Sequence, residues 1–209
     1  MIKNIIFDIG GVLVAFEPVR VLREMGLPEE EVKVIFEHTA GGPYWKELDR
    51  GVMQKEEVFN KMLSTIPSEY QADAKRFFSQ EVLKTVSSFP YSADWLKNLK
   101  ERGYNLYLLT NYPDWMFDYH WKNVFSFSAY VDGKIVSAQE KLIKPDHAIY
   151  EALIKKYNLI PSESVFIDDL AVNVQGARET GLNAIQFTNI EETKSNLESL
   201  LEQKRVYRK

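Results

Sequence analysis

A single apolar run near the N-terminus stands far from every other strand candidate in the chain. This run, Asn4–Phe7, is followed by a Gly-Gly break at residues 10 and 11, and from about residue 18 to 103 the apolar residues fall at helical spacing. A crossover between neighbouring parallel strands needs only about a dozen residues or somewhat more. Because the helical segment is several times longer, it is predicted to be an insertion over residues 16–90, in a core formed by residues 1–15 and 91–209.

After Gly103, short apolar runs alternate with helical patterns. Strand candidates at residues 104–109, 165–167 and 183–187 are separated by helix candidates at 148–157 and 170–180, and Ser92 is a candidate N-cap for a helix at 93–102. Short buried strands that alternate with helices favour a parallel sheet covered by helices on both faces. The predicted fold class is therefore α/β, a doubly wound parallel sheet with a small helical cap inserted after the first strand.

The composition excludes several classes of function. The 209 residues include no cysteine, which excludes a disulfide scaffold, a thiolate nucleophile and a cysteine-ligated metal site. A formal net charge of −4 gives no basic surface for nucleic acid or for an anionic membrane. A basic cluster at the C-terminus is predicted to be a solvated tail: Lys204, Arg205, Arg208 and Lys209.

The N-terminal run does not have the pattern of a targeting or membrane segment. Asp8 interrupts it, no small-residue cleavage site follows, and no apolar stretch approaches the roughly 20 residues of a membrane span. We therefore expect a soluble, cytoplasmic protein with no membrane partner and no nucleic-acid partner. The oligomeric state is left open between a monomer and a homodimer.

Polar side chains stand directly after three of the predicted strands. They are Asp8 after the first, Thr110 and Asn111 after the second, and Asp168 and Asp169 after the third. Lys144 precedes Pro145, which suits the first turn of a helix. Since the carboxyl ends of parallel strands form the ligand-binding edge of such sheets, these side chains are predicted to lie together.

Each of these residues alone is equally typical of a helix cap or a turn, but together they indicate chemistry. Three carboxylates at one sheet edge would repel one another unless a cation joined them, and Mg²⁺ prefers such oxygen ligands. Lys144 would offset the charge of a phosphate, and Thr110 can donate to a phosphate oxygen. Asp8 would then be a carboxylate nucleophile that forms an aspartyl-phosphate.

The same residues carry a family resemblance. Four segments, residues 7–13, 108–111, 144–146 and 166–169, stand in the order of the four motifs of the haloacid dehalogenase-like (HAD) superfamily, and Asn173, Gly176 and Gly181 extend the last one. The chain resembles the helical-cap subfamily, subfamily IA, in a variant-3-like arrangement. The resemblance covers essentially the whole length of the chain.

The resemblance implies a Rossmann-like core and a phosphatase that acts on a small phosphorylated molecule. Asp8 would attack phosphorus, and Lys144 would stabilise both this nucleophile and the phosphoryl group. Thr110 and Asn111 would bind the phosphoryl group that is being transferred.

The resemblance also implies a set of magnesium ligands. The direct ligands would be the carboxylate of Asp8, the main-chain carbonyl of Gly10 and the carboxylate of Asp169. Asp168 is expected to act on the metal through water. Asn173 stands where many members carry a further acid, and it is expected to lie outside the direct ligands.

Gly10 is the main departure from the family pattern. Most phosphatases of the superfamily carry an aspartate at this position, two residues after the nucleophile, as general acid and base. General acid–base assistance is typically worth about 10²–10⁴-fold in rate. Its loss matters least for a good leaving group, such as that of an anomeric sugar phosphate, an acyl phosphate or an aryl phosphate. A similar replacement occurs in a bacterial branch that the chain resembles and that includes α-glucose-1-phosphate phosphatases, and the expected substrate is a sugar phosphate. Two alternatives stay open: a 2-haloacid dehalogenase, and a sugar-phosphate-binding protein with little or no turnover.

Three further groups of residues have two interpretations each. The dense aromatic residues at 112–127 would form a sugar-stacking wall or, as the favoured interpretation, a core or a subunit interface. Tyr44, Trp45 and Arg50 would face the site entrance and select substrate, or would serve helix packing. The three histidines show no metal-ligand spacing, and His147 is predicted to lie at the surface.

Overall fold

The structure is a computed structural model that describes residues 1–206, with side chains described through Glu202. The basic cluster at the C-terminus lies outside the described side chains. The central sheet contains five parallel strands in the order β5-β4-β1-β6-β7. Their bounds are β1 (Asn4–Phe7), β4 (Asn105–Thr110), β5 (Gly133–Val136), β6 (Ser164–Asp168) and β7 (Asn183–Gln186).

A two-stranded antiparallel ribbon stands at the base of a helical segment. It pairs β2 (Val14–Phe16) with β3 (Val86–Ser88). The helices between these strands are α1 (Pro18–Glu24), α2 (Glu29–His38), α3 (Trp45–Arg50), α4 (Lys55–Ser64) and α5 (Gln71–Arg76). We call this segment the helical insertion.

The remaining helices lie between the strands of the sheet or, for the last of them, after β7. They are α6 (Ser92–Glu101), α7 (Asp114–Asn123), α8 (Ser137–Glu140), α9 (His147–Lys156), α10 (Ala171–Glu179) and α11 (Ile190–Val206). Among residues 1–206, no helix is both long enough and apolar enough to cross a membrane.

Successive residues of the central strands point into two separate cores. Ile5 and Phe7 belong to the larger core, which also contains residues of α6, α11 and the helical insertion. Ile6 belongs to the smaller core, with Tyr150 and Leu153 of α9. This alternation is the period of two that a strand imposes on its side chains. Both faces of the sheet are therefore covered, and the predicted Rossmann-like α/β fold is confirmed.

The order of the strands places the candidate residues at one point of the sheet. β1 lies in the centre with β4 on one side and β6 on the other. Phe7 is in register with Leu108 of β4 and with Ile167 of β6, so the polar residues that follow these strands come out side by side. The chain runs outward from β1 to β5 and then returns to β6, which makes this the switch point where α/β proteins bind ligands.

Two local expectations from the sequence are wrong. Ser92 is not the N-cap of α6 but its first residue: its hydroxyl donates a hydrogen bond to the Leu13 carbonyl (2.7 Å), and its oxygen accepts none from an N–H of the helix. Pro145 does not lie in the first turn of α9, which begins at His147. The edge strand β5 and the β2–β3 ribbon were not predicted from the sequence.

The aromatic stretch at 112–127 is part of the larger core. Its members Tyr112, Phe117, Phe125 and Phe127 are all buried there. Phe117 packs edge to face on Phe125 and stacks on Trp121, with ring centroids 5.9 Å and 5.5 Å apart. Packing inside the subunit, rather than a sugar-stacking wall, therefore accounts for these residues.

His120 is buried within this aromatic packing. Its Nε2 bonds to the Leu83 carbonyl (2.8 Å), so this nitrogen carries the proton, and its Nδ1 then accepts from the Tyr112 hydroxyl (2.9 Å). Burial lowers the pKa of His120, an effect that the bond to Leu83 opposes. The imidazole is therefore held neutral in the folded protein.

We expect His120→Gln to lower the free energy of unfolding by about 1–3 kcal/mol at about pH 8, since it disrupts two buried hydrogen bonds. The difference from wild type should shrink as the pH falls below about 6.5, because the unfolded chain then takes up a proton that the buried imidazole of the wild type resists. Urea unfolding followed at several pH values measures this difference. His147→Gln, at an exposed histidine, is the control. A difference that stays constant with pH would contradict the assignment of a neutral His120.

Candidate active site

Asp8 stands at the carboxyl end of the central strand, at the start of a tight loop. Its main-chain N–H continues the sheet by donating to the Ile167 carbonyl (2.8 Å). Its side-chain Oδ1 accepts a hydrogen bond from the N–H of Ile9 (2.7 Å), which fixes the carboxylate at the sheet edge. The loop then closes with bonds from Leu13 and Val14 to the Ile9 carbonyl. Asp8 is thereby held on a rigid part of the fold.

Gly11 brings this loop against Asp169, the residue that follows β6. Its φ of +70° lies in the left-handed region that favours glycine. A Cβ atom at this position would lie 2.6 Å from Oδ2 of Asp169, so any other residue here would displace that carboxylate. Glycine at position 11 therefore allows the Asp169 carboxylate to approach the loop that carries Asp8.

Lys144 forms a buried ion-pair network with two carboxylates. Its Nζ lies 2.9 Å from Oδ1 of Asp8 and 2.6 Å from Oδ2 of Asp168, and the three side chains are 1%, 11% and 0% exposed in that order. Burial favours the neutral amine, but the two carboxylates outweigh it and raise the pKa of Lys144 above its ordinary value. The ammonium is therefore charged and fixed beside the predicted nucleophile.

Asn111 holds the main chain at Lys144. Its Oδ1 accepts from the Lys144 N–H (2.9 Å), and its Nδ2 donates to the Lys144 carbonyl (3.1 Å). Both ends of the side-chain amide are thus bonded to protein, so Asn111 positions the lysine. Asn111 also borders the cavity described below, and its predicted role in phosphate binding stays a prediction. The pairing joins the loop after β4 to a segment 33 residues later, and no local pattern in the sequence signals it.

Asp168 is also occupied by protein contacts. Its Oδ1 accepts from the N–H of Leu170 (2.8 Å), and Asn173 Nδ2 lies 3.0 and 3.1 Å from its two oxygens. Its Oδ2 additionally pairs with Lys144. Asn173 therefore contacts the site through Asp168. Asp169 is less buried than Asp168, and it borders the cavity that is described below.

Thr110 ends β4 beside β1 and is 1% exposed. Within residues 1–202 its hydroxyl makes no hydrogen bond to protein. The register of β4 with β1 places Thr110 at the same edge of the sheet as Asp8.

The acidic groups at this edge fit a divalent cation. One ligand oxygen each of Asp8, Asp168 and Asp169 lies within 4.8 Å of the others. Burial raises the pKa of Asp8 to about 7; Lys144 opposes the rise and Asp168 adds to it. Burial, followed by the charge of Asp168, also raises the pKa of Asp169. The charge of Lys144 thus does not offset the effect of burial on Asp8, and a hard cation on the oxygens of Asp8 and Asp169 would favour the ionised forms of these two residues.

A cavity of about 660 Å³ opens over these residues. From the core it is bordered by Asp8, Gly10, Asn111, Lys144 and Asp169, among others. The ribbon contributes Phe16 to its wall, and the helical insertion contributes Lys46, Asp49 and Arg50. The insertion therefore brings two cations and one carboxylate to the cavity that Asp8 borders.

Asp49 was missed by the sequence analysis. It lies on α3 four residues after Trp45, so the two side chains share one face of the helix. Trp45 and Asp49 both border an apolar cavity beside the site, which shows that this face of the helix points inward. An aspartate on the inward face of a short amphipathic helix is a signal that the sequence does contain.

A smaller apolar cavity of about 250 Å³ adjoins the first. Gly10, Phe16, Asp49 and Asn111 border both, and the rest of its wall is made by Val14, Trp45, Val86, Tyr112, Pro113 and Met116. Trp45 thus lines this second cavity, Arg50 lines the first, and Tyr44 packs against the larger core.

The family model of the haloacid dehalogenase-like hydrolases matches residues 2–181. The chain belongs to this family. The match covers all the predicted motif residues, and it includes the whole helical insertion.

Two curated relatives of this HAD-like hydrolase are phosphatases by name. D-ribitol-5-phosphate phosphatase of Bacteroides thetaiotaomicron is 27% identical over 90% of this chain and 93% of its own length. Sesquiterpene phosphatase AstK of Aspergillus oryzae is 27% identical over 90% of this chain and 90% of its own length. These relatives support a phosphatase activity for the chain.

Solved structures of a HAD family enzyme from Bacteroides thetaiotaomicron have the same fold. One aligns with a TM-score of 0.68 and 25% identity over 88% of this chain and 93% of that one. Another, of a mutant in complex with magnesium and inorganic phosphate, aligns with a TM-score of 0.65 and 25% identity over 89% and 94% of the two chains.

Proposed function

We propose that this HAD-like hydrolase is a Mg²⁺-dependent phosphatase that forms an aspartyl-phosphate on Asp8. One observation carries the proposal: the Asp8 carboxylate, at the end of the central strand, is paired with a buried Lys144 at 2.9 Å and faces a polar cavity beside Asp169. Because this carboxylate is both oriented by a fixed ammonium and open to a cavity, it is placed to act as a nucleophile on a ligand bound there.

The contacts of Asp8 divide its two oxygens. Oδ1 is held by the N–H of Ile9 and by Lys144, whereas Oδ2 accepts no hydrogen bond from residues 1–202. Oδ2 is thus available to ligands while the carboxylate stays oriented. Lys144 is placed to stabilise both the nucleophile and the negative charge of the phosphoryl group. The free hydroxyl of Thr110 would donate to a phosphoryl oxygen.

The residues that would hold magnesium are Asp8, the main-chain carbonyl of Gly10 and Asp169. When bound, the ion supplies positive charge that neutralises the phosphoryl oxygens and lowers the pKa of nearby carboxylates. Asp168 would orient Lys144 and not bind the ion directly, since its oxygens are bonded to Lys144, to the N–H of Leu170 and to Asn173.

The substrate that we propose is a small phosphorylated metabolite, a sugar phosphate with a good leaving group. Lys46 and Arg50 on the cavity wall suit a polar, oxygen-rich molecule. The helical insertion, residues 16–90, would act as the cap that selects it, in the manner of subfamily IA. The magnesium-compatible acidic cluster favours this function over dehalogenation, which needs no metal.

The test is phosphate release from a panel of phosphorylated metabolites, measured with Mg²⁺, with excess EDTA, and after Mg²⁺ is restored. We expect turnover that EDTA lowers by about 10²-fold or more and that added Mg²⁺ recovers, because the acidic cluster would lose its neutralising charge. Turnover unaffected by EDTA would contradict the metal site. Chloride release from 2-chloropropionate in metal-free buffer would indicate the dehalogenase, and tight sugar-phosphate binding without turnover would indicate a binding protein.

A further inference from the structure

We propose that Asp49 of the helical insertion is the proton donor and acceptor of the reaction, in the role left vacant by Gly10. This inference rests on the proposed phosphatase function and assigns one more catalytic residue to the same site. It starts from two observations: Gly10 has no side chain to donate a proton, and a carboxylate from a different segment borders the same cavities.

The position of Asp49 is fixed by the core. Its main-chain carbonyl accepts a hydrogen bond from the Ser137 hydroxyl at the start of α8 (2.5 Å). The same hydroxyl oxygen accepts from the N–H of Tyr112, one residue after Asn111 (2.9 Å). Two residues further along, the carbonyl of Gly51 accepts from Lys141 Nζ. The end of α3 is therefore hydrogen-bonded to α8, and through Ser137 it is connected to the loop that follows β4.

The close approach at this point depends on Gly51. Its φ is +65°, and a Cβ atom would lie 2.5 Å from the Ala138 carbonyl oxygen. The backbone of α3 thus lies directly against α8, with no side chain between them. This contact keeps Asp49 at the site. A helix that packed only loosely over the cavity would not hold the side chain there.

The carboxylate of Asp49 has the surroundings of an acid rather than of a structural group. It makes no hydrogen bond or ion pair with any side chain or main-chain group of residues 1–202. Burial raises the pKa of Asp49 to about 7; the charge of Asp8 adds to the rise and Lys144 opposes it. A partly buried carboxylate without a partner costs stability, and such arrangements are typical of catalytic acids.

The space beside Gly10 is open toward Asp49. A Cβ atom built on Gly10 meets nothing within 4 Å, so the position that usually carries the acid is neither filled nor blocked by another group. Gly10 and Asp49 border both the polar and the apolar cavity. A leaving group seated between these cavities would lie next to the Asp49 carboxyl.

The proton transfers balance over one cycle. In the first step an Asp8 oxygen forms a bond to phosphorus, the bond from phosphorus to the leaving oxygen breaks, and protonated Asp49 gives its proton to that oxygen. In the second step the ionised Asp49 takes a proton from water as the water attacks phosphorus. The bond from Asp8 to phosphorus then breaks, which yields inorganic phosphate and restores both carboxyl groups.

The test compares Asp49→Asn with wild type on phosphate esters of graded leaving-group pKa, from p-nitrophenyl phosphate to simple alkyl phosphates. We expect kcat to fall by about 10²–10⁴-fold for alkyl esters and by less than about tenfold for p-nitrophenyl phosphate, because a good leaving group needs no proton. The control is Glu47→Gln, which makes the same charge change on the same helix at a residue that borders neither cavity. Its effect on kcat should not depend on the pKa of the leaving group.

A second variant moves the acid back to its usual place. Gly10→Asp in the Asp49→Asn background should restore turnover of alkyl phosphates by about tenfold or more, since the added side chain has open space. An equal loss for all esters in Asp49→Asn, or no rescue by Gly10→Asp, would overturn the assignment of Asp49. If wild type releases phosphate normally, those outcomes leave the proposed phosphatase intact; if wild type turns over no ester at all, both proposals are overturned.

Discussion

Asp8→Asn is expected to lower kcat for phosphate release by about 10⁴-fold or more, the scale seen when a nucleophile is removed. Asparagine keeps the shape of the side chain and still accepts the hydrogen bond from Ile9, but its amide oxygen does not attack phosphorus. The measurement is steady-state turnover of p-nitrophenyl phosphate with Mg²⁺. Asp118→Asn, at an exposed aspartate of α7, is the control and should retain full activity.

The Asp8→Asn variant should remain folded. Burial raises the pKa of Asp8 to about 7, which means that folding disfavours its charged form, so the neutral amide should leave the midpoint of thermal unfolding unchanged or higher. Quenching wild type during turnover should trap a phosphoryl group on the peptide that contains Asp8. Turnover of Asp8→Asn within tenfold of wild type, or a phosphoryl group on another residue, would contradict the nucleophile assignment.

Lys144→Met is expected to lower the free energy of unfolding by about 3–5 kcal/mol and to abolish turnover. Methionine fills a similar volume, but it leaves the buried Asp8 and Asp168 carboxylates without their positive partner. Urea unfolding at about pH 8 in the absence of Mg²⁺ measures the loss. Lys155→Met, at an exposed lysine of α9, should change the free energy of unfolding by less than about 0.5 kcal/mol.

The instability of Lys144→Met should depend on pH in a direction that identifies its cause. Without the ammonium, the effect of burial on Asp8 is no longer opposed, so the folded-state pKa of Asp8, already raised to about 7 in the wild type, rises further, and the folded variant binds more protons than the folded wild type. Its stability relative to wild type should therefore recover as the pH falls toward about 5. A deficit that is the same at every pH would point to a packing defect instead of an unpaired charge.

The residues at the strand ends could be predicted from the sequence because local patterns determine them. Buried strands are short apolar runs, and a parallel sheet brings their carboxyl ends to one edge whatever the loops do. Asp8, Asp168 and Asp169 were predicted in this way, and the sheet register brings Thr110 to the same edge. Lys144 was predicted from its place before Pro145 and from the family resemblance, and its ammonium lies beside Asp8. Four of the five strands of the central sheet were predicted from their apolar runs, and the four-residue edge strand β5 was not.

The partners of these residues could not be predicted, because they depend on tertiary contacts. Nothing near Asn111 signals that its amide bonds to Lys144 across 33 residues. The position of Asp49 depends on how α3 packs on α8. Ser137 contacts Asp49 across 88 residues of sequence, and Ala138 contacts Gly51 across 87. Helical periodicity shows which face of α3 is buried, but it does not show which part of the core that face meets.

The hydrogen bonds around Lys144 have a consequence for the energy of reaction. Asn111 fixes its main chain, Asp168 fixes its ammonium, and Asn173 fixes Asp168 in turn. Water around a phosphoryl group in solution must reorient as charge shifts from one oxygen to another, and that reorganisation forms part of the barrier. Here the positive charge is oriented when the chain folds, so the site contributes a field that is already aligned before any substrate arrives.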